Sequence, residues 1–285
     1  MSGSHPHIRG MQPLKGAITR QVIGLFNDRS RGERPVQRSG DALFPEGSVI
    51  RRVHGDVGTM LVGGIAALLL QMLHPAALAG VWDHSNFRKD MAGRLRRTAR
   101  FIATTTYAAQ EDAEAAIARV RRIHDHVTGT LPDGTHYTAT DPHLLAWVHV
   151  TEALCFLDAW IRYGEPGMSA ADQDRYFAEF ATVAERLGAD PVPTSRREAE
   201  ALIERYRPEL VVDERTRTVA RLLLTQKPDK LALVPMQRVA MQAGVDLLPV
   251  WARRLHGLGN PPLARPLVRA SALGMAQTLR WAFAR

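Results

Sequence analysis

The sequence predicts an all-α protein, and three observations support this class. Apolar residues recur with the 3.6-residue period of a helix over most of the chain, and helix-capping residues flank these segments. No series of alternating strands, internal repeat or glycine-rich phosphate loop is found. With 285 residues, 45% apolar and 23% charged, the chain has the balance of an ordinary soluble globule. Disorder, a collagen-like repeat and a disulfide scaffold are therefore excluded.

The first half of the chain predicts an N-terminal arm followed by helices. Residues 1–45 are rich in Gly, Pro, Ser and Arg and are expected to form the arm, so that residues 46–285 make up one domain. Asp56 or Thr59 is expected to begin a long apolar helix that stops near His74. Further helices are predicted at 17–26, 76–81, 90–107 and 111–128, the last of them stopped by Gly129.

The second half predicts a hairpin and then more helices. The segment LPDGTHYTAT at 131–140 combines a Pro-Asp-Gly turn with Thr and Tyr, which favours a small hairpin or an extended loop. Asp141 and Pro142 then begin an almost wholly apolar helix to Tyr163, which is typical of a central, buried helix. The next predicted helix runs from Ser169 to Gly188, and another begins after a cap at 192–195. The remaining predicted helices lie at 213–225, 230–243 and 247–256.

Two features bear on the compartment. The only cysteine, Cys155, cannot pair within the chain, and the N-terminus lacks the apolar core of a signal peptide, so we expect a cytoplasmic protein. Residues 58–82 carry no formal charge over 25 positions, which is long enough to span a bilayer. Gln71 and Pro75 within this segment favour a buried core helix instead.

The net charge of +8 is concentrated towards the C-terminus, where residues 247–285 contain six arginines and no acid. Together with Trp281 and Phe283, this segment could make a peripheral contact with a membrane. The alternative is a packed terminal helix with a solvated basic side. No nucleic-acid-binding module is recognisable, so we do not expect nucleic acid as a partner.

His124 is the first candidate site residue. It continues the apolar stripe of positions 113, 116, 117, 120, 123 and 127, whereas His126 lies about 200° further round the helix. A buried neutral imidazole is a common ligand of metals and haem iron, although a hydrogen-bonded core histidine gives the same pattern.

Two other groups are candidates. In RLRRT at 94–98, Arg94, Arg97 and Thr98 share one arc of a helix and could bind anions or oxygen atoms, or form a solvated basic face. His149 is followed at i+3 by Glu152, which allows a hydrogen bond or a shared metal. The Glu-x-x-His pairs of dimetal bundles and the nucleophile elbow of acyl transferases are both absent from the sequence.

The order and spacing of four motifs resemble the DUF2236 family, which includes the latex-clearing-protein rubber oxygenases and the MpaB-type oxygenases. The motifs are VHGDVGTMLVGGIAALLLQMLHPAALAGVWDHS, RLRRT, RVRRIHDHVTG and YTA-x-DPHLLAWVHVT, and the similarity covers roughly residues 47–250. The resemblance implies a globin-like helical core that holds haem b, with extra terminal helices. It also implies dioxygen as co-substrate and a small apolar substrate such as an isoprenoid chain.

The resemblance also assigns roles to individual residues. It implies that His124 is the proximal ligand of the haem iron, that Arg94 and Thr98 lie near the distal pocket, and that His149 is a pocket residue. Arg97 stands where the rubber enzymes have a lysine. Residues 78–82 offer no carboxylate in place of their catalytic glutamate, and Asp83 is the nearest substitute.

The resulting hypothesis is a haem b-dependent oxygenase. His124 would hold the iron, Arg94, Arg97 and Thr98 would bind the oxygen or orient the substrate, and apolar residues of 60–73 and 144–156 would form the pocket walls. Two alternatives stay open at this point: a haem-binding sensor, carrier or peroxidase-like module without oxygenase activity, and a non-haem helical module at a membrane surface.

Overall fold

The computed structural model describes residues 11–27, 32–226, 228, 231–259 and 261–284, and most of these belong to helices. They form thirteen α-helices and one antiparallel pair of short strands, which confirms the all-α prediction. Residues 1–10 and 28–31 of the predicted arm, residue 230 at a predicted helix start and Arg285 of the basic C-terminal segment lie outside the described residues.

The elements follow in this order: α1 Met11–Phe26, α2 Val49–His54, α3 Val57–Gln71, α4 Pro75–His84, α5 Met91–Tyr107, α6 Gln110–His124, β1 Thr128–Thr130, β2 His136–Thr138, α7 Pro142–Tyr163, α8 Ala170–Leu187, α9 Arg196–Tyr206, α10 Glu214–Thr225, α11 Val234–Leu247, α12 Val250–His256 and α13 Arg265–Phe283. Short 3₁₀ helices precede α11 and α13 and follow α9.

The centre of the fold is the crossing of α3 and α7, and α11 and α13 also pack against α3. The two central helices approach closely because position 63 is a glycine: a Cβ there would lie 2.8 Å from the carbonyl oxygen of Cys155. Gly244 plays the same part for α11, since a Cβ on it would lie 2.5 Å from the Ile65 side chain. Trp147 of α7 is fully buried, as expected of a central helix.

The predicted caps explain where several helices begin and end. Asp56 rather than Thr59 caps α3, because its side chain accepts from the backbone N–H of Thr59 at 2.8 Å. Asp141 caps α7, and the Ser169 side chain caps α8, which ends at the left-handed Gly188. These three predictions are confirmed.

The prediction for α6 is wrong at its C-terminal end, which lies at His124 and not at 128. The chain leaves the helix there in order to form the hairpin, in which Gly129 pairs with Tyr137. Gly129 is required by this pairing, because a Cβ would lie 2.6 Å from the Tyr137 hydroxyl. Helix α4 also continues three residues beyond the predicted end, to His84, and α2 has no counterpart among the predicted helices.

The apolar segment 58–82 is not one straight helix, since α3 and α4 meet at 103°. Among the described helices, only α7 is long and apolar enough to cross a membrane by itself, and 67% of its apolar window is buried inside the fold. Core helices of soluble proteins have the same length and composition.

Several arginines of the C-terminal segment form ion pairs with one buried carboxylate. Asp246, whose side chain is fully buried, accepts hydrogen bonds from Arg265 and Arg269, both at 2.7 Å, and Arg253 and Arg162 also reach it. Burial alone would raise the pKa of Asp246, but the hydrogen bonds from Arg269 and Arg265 hold it below its usual range. The segment is therefore joined to the core by ion pairs, in which the single carboxylate of Asp246 is shared among several arginines.

Candidate functional site

A cavity of about 470 Å³ lies between α3, α4, α5, the end of α6 and the start of α7. Its volume is in the range of cofactor and ligand sites, and its wall is mostly apolar, as such sites usually are. Apolar side chains on the wall include Leu68, Met72, Val81, Phe87, Leu144 and Val148, and the polar ones are Gln71, His84, Ser85, Asn86, Arg94, Arg97, Thr98, His124 and Tyr137. Four of the five predicted site residues thus lie on one cavity.

His124 enters this cavity as the last residue of α6. Ala113 and Ile117 of the same stripe are buried, His124 is half-buried and His126 is exposed, as the helical period predicts. Burial lowers the pKa of His124, with the nearby Asp125 opposing this effect, so the imidazole is neutral at pH 7 and able to bind a metal. Ile123 differs from the prediction: it is 52% exposed.

Arg94, Arg97 and Thr98 reach the cavity from one side of α5. Burial lowers the pKa of Arg94, and Arg97 adds to this effect; within the described part of the chain, no carboxylate pairs with Arg94. Arg97 is different, because it is 53% exposed and lies 3.5 Å from Asp90. The Thr98 hydroxyl donates to the Arg94 carbonyl at 3.3 Å, which leaves its oxygen free to accept.

His149 is separated from these residues. It is buried in α7, lies on the wall of neither cavity described here, and packs edge-on against the Phe180 ring at 4.8 Å. Burial lowers the pKa of His149 to about 4. Among the described residues, the Nε2 atom of His149 has no hydrogen-bond partner, so the predicted bond to Glu152 at i+3 does not form through this atom.

A second cavity of about 950 Å³ lies on the other side of α5, against α3, α7 and α13. Leu95 and Thr98 line both cavities, so only α5 side chains separate them at this point. Glu152 faces the second cavity, and burial raises its pKa to about 7, which the hydrogen bond from Gln71 opposes. The Gln71 side chain lines the first cavity and donates its amide N–H to the Val148 carbonyl at 3.2 Å.

Helical periodicity did not single out two residues of the first cavity. His84 is exposed, and its Nε2 lies 2.9 Å from the Thr128 carbonyl oxygen. Tyr137 of β2 donates to Asp83 at 2.8 Å, and burial together with that carboxylate raises its pKa to about 12. Asp83, which the sequence offered as the nearest substitute for the missing glutamate, is therefore hydrogen-bonded to Tyr137 and does not line the cavity. Only the hairpin pairing, which a periodicity analysis does not contain, brings Tyr137 here.

Comparison with protein families finds one match. Residues 51–281 match the family described as the catalytic domain of the ER-bound oxygenase mpaB/B' and of rubber oxygenase. The chain therefore belongs to this oxygenase family, and the match extends beyond the predicted 47–250 to include most of α13. It is accordingly an oxidoreductase that uses dioxygen and an organic substrate. Comparisons with curated proteins and with solved structures found no match.

Proposed function

We propose that the protein is a haem b-dependent oxygenase that acts on a small apolar substrate, with His124 as the iron ligand. One observation carries the proposal: a neutral imidazole, His124, lines the same apolar cavity as Arg94, a guanidinium that has no carboxylate partner among the described residues. Haem combines a metal with an apolar macrocycle, which suit His124 and the apolar wall, and Arg94 offers hydrogen-bond donors to oxygen atoms bound in the same cavity.

When bound, haem supplies an iron centre that activates dioxygen. The residues of the chain would hold and orient it. His124 would provide the nitrogen ligand, and the apolar side chains of α3, α4 and α7 would exclude water around it. No Cys-x-x-Cys-His motif occurs, so attachment would be non-covalent.

Arg94 and Thr98 would bind oxygen atoms inside the cavity. A half-buried guanidinium without a counter-charge is costly and is compensated when an anion or a polarised oxygen accepts its hydrogen bonds. Thr98 lies at the junction of the two cavities and could orient a substrate that occupies both. Arg97, paired with Asp90 and exposed, would act at the rim of the site.

Glu152 would serve as the proton-transferring carboxyl in place of the glutamate that residues 78–82 lack. With a pKa of about 7, it is partly protonated near neutral pH and could accept or donate a proton. The apolar walls around it, among them Met60, Ile65 and Phe156, suit a hydrocarbon chain such as a prenyl or terpenoid group.

The cytoplasmic location stays a prediction, and the family description itself mentions an ER-bound member. Ion pairs within the fold argue against the alternative, a helical module held at a membrane by its basic C-terminal segment. Arg253, Arg265 and Arg269 pair with Asp246, and Arg280 pairs with Asp56.

Oxygen incorporation tests the function. Haem-loaded protein is incubated with a terpenoid alkene under ¹⁸O₂, and products are analysed by mass spectrometry. We expect labelled product, and Arg94→Ala should keep the haem spectrum but lower turnover about 100-fold, the usual effect of removing one oxygen-directed donor. The control is Arg119→Ala, an exposed arginine of α6.

Two outcomes would contradict the proposal. Haem binding without labelled product from any of several apolar alkenes would favour the haem protein without oxygenase activity. Loss of haem in Arg94→Ala, as complete as the loss caused by removing His124, would assign Arg94 to cofactor binding and not to turnover.

A further inference from the structure

Outside both cavities, three metal-binding side chains converge from distant parts of the chain. They are His74 at the start of α4, His143 in the first turn of α7 and Glu209 in the 3₁₀ helix after α9, and one ligand atom from each lies within 4.8 Å of the others. None of the three side chains lines either cavity.

The distances between these atoms suit a small divalent ion. His74 Nε2 lies 3.2 Å from one carboxylate oxygen of Glu209, and His143 Nε2 lies 3.1 Å from the other. In a tetrahedral zinc site with bonds of about 2.0–2.1 Å, neighbouring ligand atoms are about 3.3 Å apart. The imidazole nitrogens lie within 4.8 Å of each other, so an ion could replace the present hydrogen bonds once the three side chains close around it.

The backbone segments that carry the three ligands are held together independently of any ion. The backbone N–H of Val211, two residues after Glu209, donates to the carbonyl of Leu73 at 2.8 Å. The hydroxyl of the buried Tyr206 donates to the His143 carbonyl at 2.6 Å, and the Tyr206 ring contacts the His143 ring at 4.4 Å. Ligands held in place before the ion arrives lose less conformational freedom when it binds.

We propose that His74, His143 and Glu209 form a binding site for one divalent transition-metal ion of the Zn²⁺ class, separate from the haem site. Two imidazoles and a carboxylate favour such an ion over Ca²⁺ and Mg²⁺, which prefer oxygen ligands. The side chains of His143 and Glu209 are 48% and 42% exposed, so water completes the coordination.

The ion would brace one wall of the oxygenase cavity. The wall of that cavity includes Met72 and Ala76, which lie two positions before and after His74, and Leu144, which follows His143. Binding would therefore link the α3–α4 connection, the start of α7 and the end of α9. It would also raise the thermal unfolding midpoint, because the ion would bind the folded chain in preference to the unfolded one.

Calorimetric titration of metal-stripped, tag-free protein with Zn²⁺ tests the site. We expect one Zn²⁺ per chain, and His143→Ala and Glu209→Gln should each weaken binding about tenfold or more. Glu209→Gln keeps the shape of the side chain and guards against a folding artefact. The control is His136→Ala, which removes an exposed histidine of the hairpin and should bind as the wild type does.

A thermal melt gives the second readout: saturating Zn²⁺ should raise the unfolding midpoint of the wild type and of His136→Ala but not of Glu209→Gln. Equal titration by Mg²⁺ or Ca²⁺, substoichiometric Zn²⁺ uptake, or unchanged affinity in both ligand variants would overturn the proposal. None of these readouts depends on haem or on oxygenase activity.

Discussion

Glu152→Gln should change how the stability of the protein depends on pH. Burial raises the pKa of this carboxyl from 4.5 to about 7. The folded protein therefore holds the proton more tightly than the unfolded chain, and the resulting stability is fully present below pH 4.5 and lost as the pH rises through about 7. At 1.36 kcal/mol for each pKa unit, the difference between 4.5 and 7 corresponds to about 3 kcal/mol.

The glutamine resembles the neutral acid and does not ionise, so the variant should lack this loss. The free energy of unfolding is measured by urea titration from about pH 4.5 to 8.5 for the wild type, for Glu152→Gln and for Glu185→Gln, an exposed control on α8. Burial lowers the pKa values of His54 and His149 to about 3 and 4, so these residues reduce stability as the pH falls below 6.5. Because they do so in every variant, their effect cancels when the pH curve of one variant is subtracted from that of another.

Relative to Glu152→Gln, the wild type should lose about 3 kcal/mol between the two ends of this pH range, whereas its difference from Glu185→Gln should stay constant. A wild-type curve parallel to that of Glu152→Gln would refute the reasoning. In that case Glu152 is solvated by water in its cavity, and its role as a proton-transferring group near neutral pH fails with it.

Two further predictions concern stability. Gly63→Ala should destabilise the protein by about 1–3 kcal/mol in urea titration, because its Cβ would lie 2.8 Å from the Cys155 carbonyl oxygen. Gly64→Ala is the control, and it should be neutral or stabilising because the nearest atom to its Cβ is 3.8 Å away. Equal losses of stability in the two variants would contradict the close packing of α3 and α7. Asp246→Asn should cost about 3 kcal/mol, because four arginines lose their buried carboxylate. Asp158→Asn, which breaks a half-exposed pair, should cost under about 1 kcal/mol, and a similar loss for both would refute the special role of Asp246.

Local signals predicted most of the fold. The starts of α7 and α8 and the end of α8 follow from short-range chemistry: Asp141 and Ser169 accept backbone hydrogen bonds at the starts, and Gly188 adopts the left-handed conformation after α8. The end of α6 could not be predicted in this way. Gly129 is a good helix stop by itself, and only its pairing with Tyr137, eight residues later, draws the chain out of the helix at His124.

The candidate site likewise contains residues that local sequence signals predicted and residues that only tertiary contacts bring together. Arg94, Thr98 and His124 were predicted from their positions on single helices, and the fold brings all three to one cavity. The cavity-facing position of Glu152 depends on α5, α7 and α13 lining one space, and the convergence of His74 with Glu209 joins residues 135 positions apart. Spacing along one helix carries no information about such contacts.

The ligand role of His124 is the central claim, and one visible absorption spectrum tests it most directly. Wild-type protein and the variants His124→Ala and His126→Ala are reconstituted with haem b and freed of excess cofactor. The wild type and His126→Ala should show the same Soret band, since His126 is exposed, whereas His124→Ala should lose or strongly weaken it and regain a histidine-like spectrum on addition of imidazole. The claim would be contradicted if the wild-type protein showed no Soret band, or if the spectrum of His124→Ala were identical to that of the wild type. If the two spectra were identical, His84, which lies on the same cavity wall, would be the next histidine to replace.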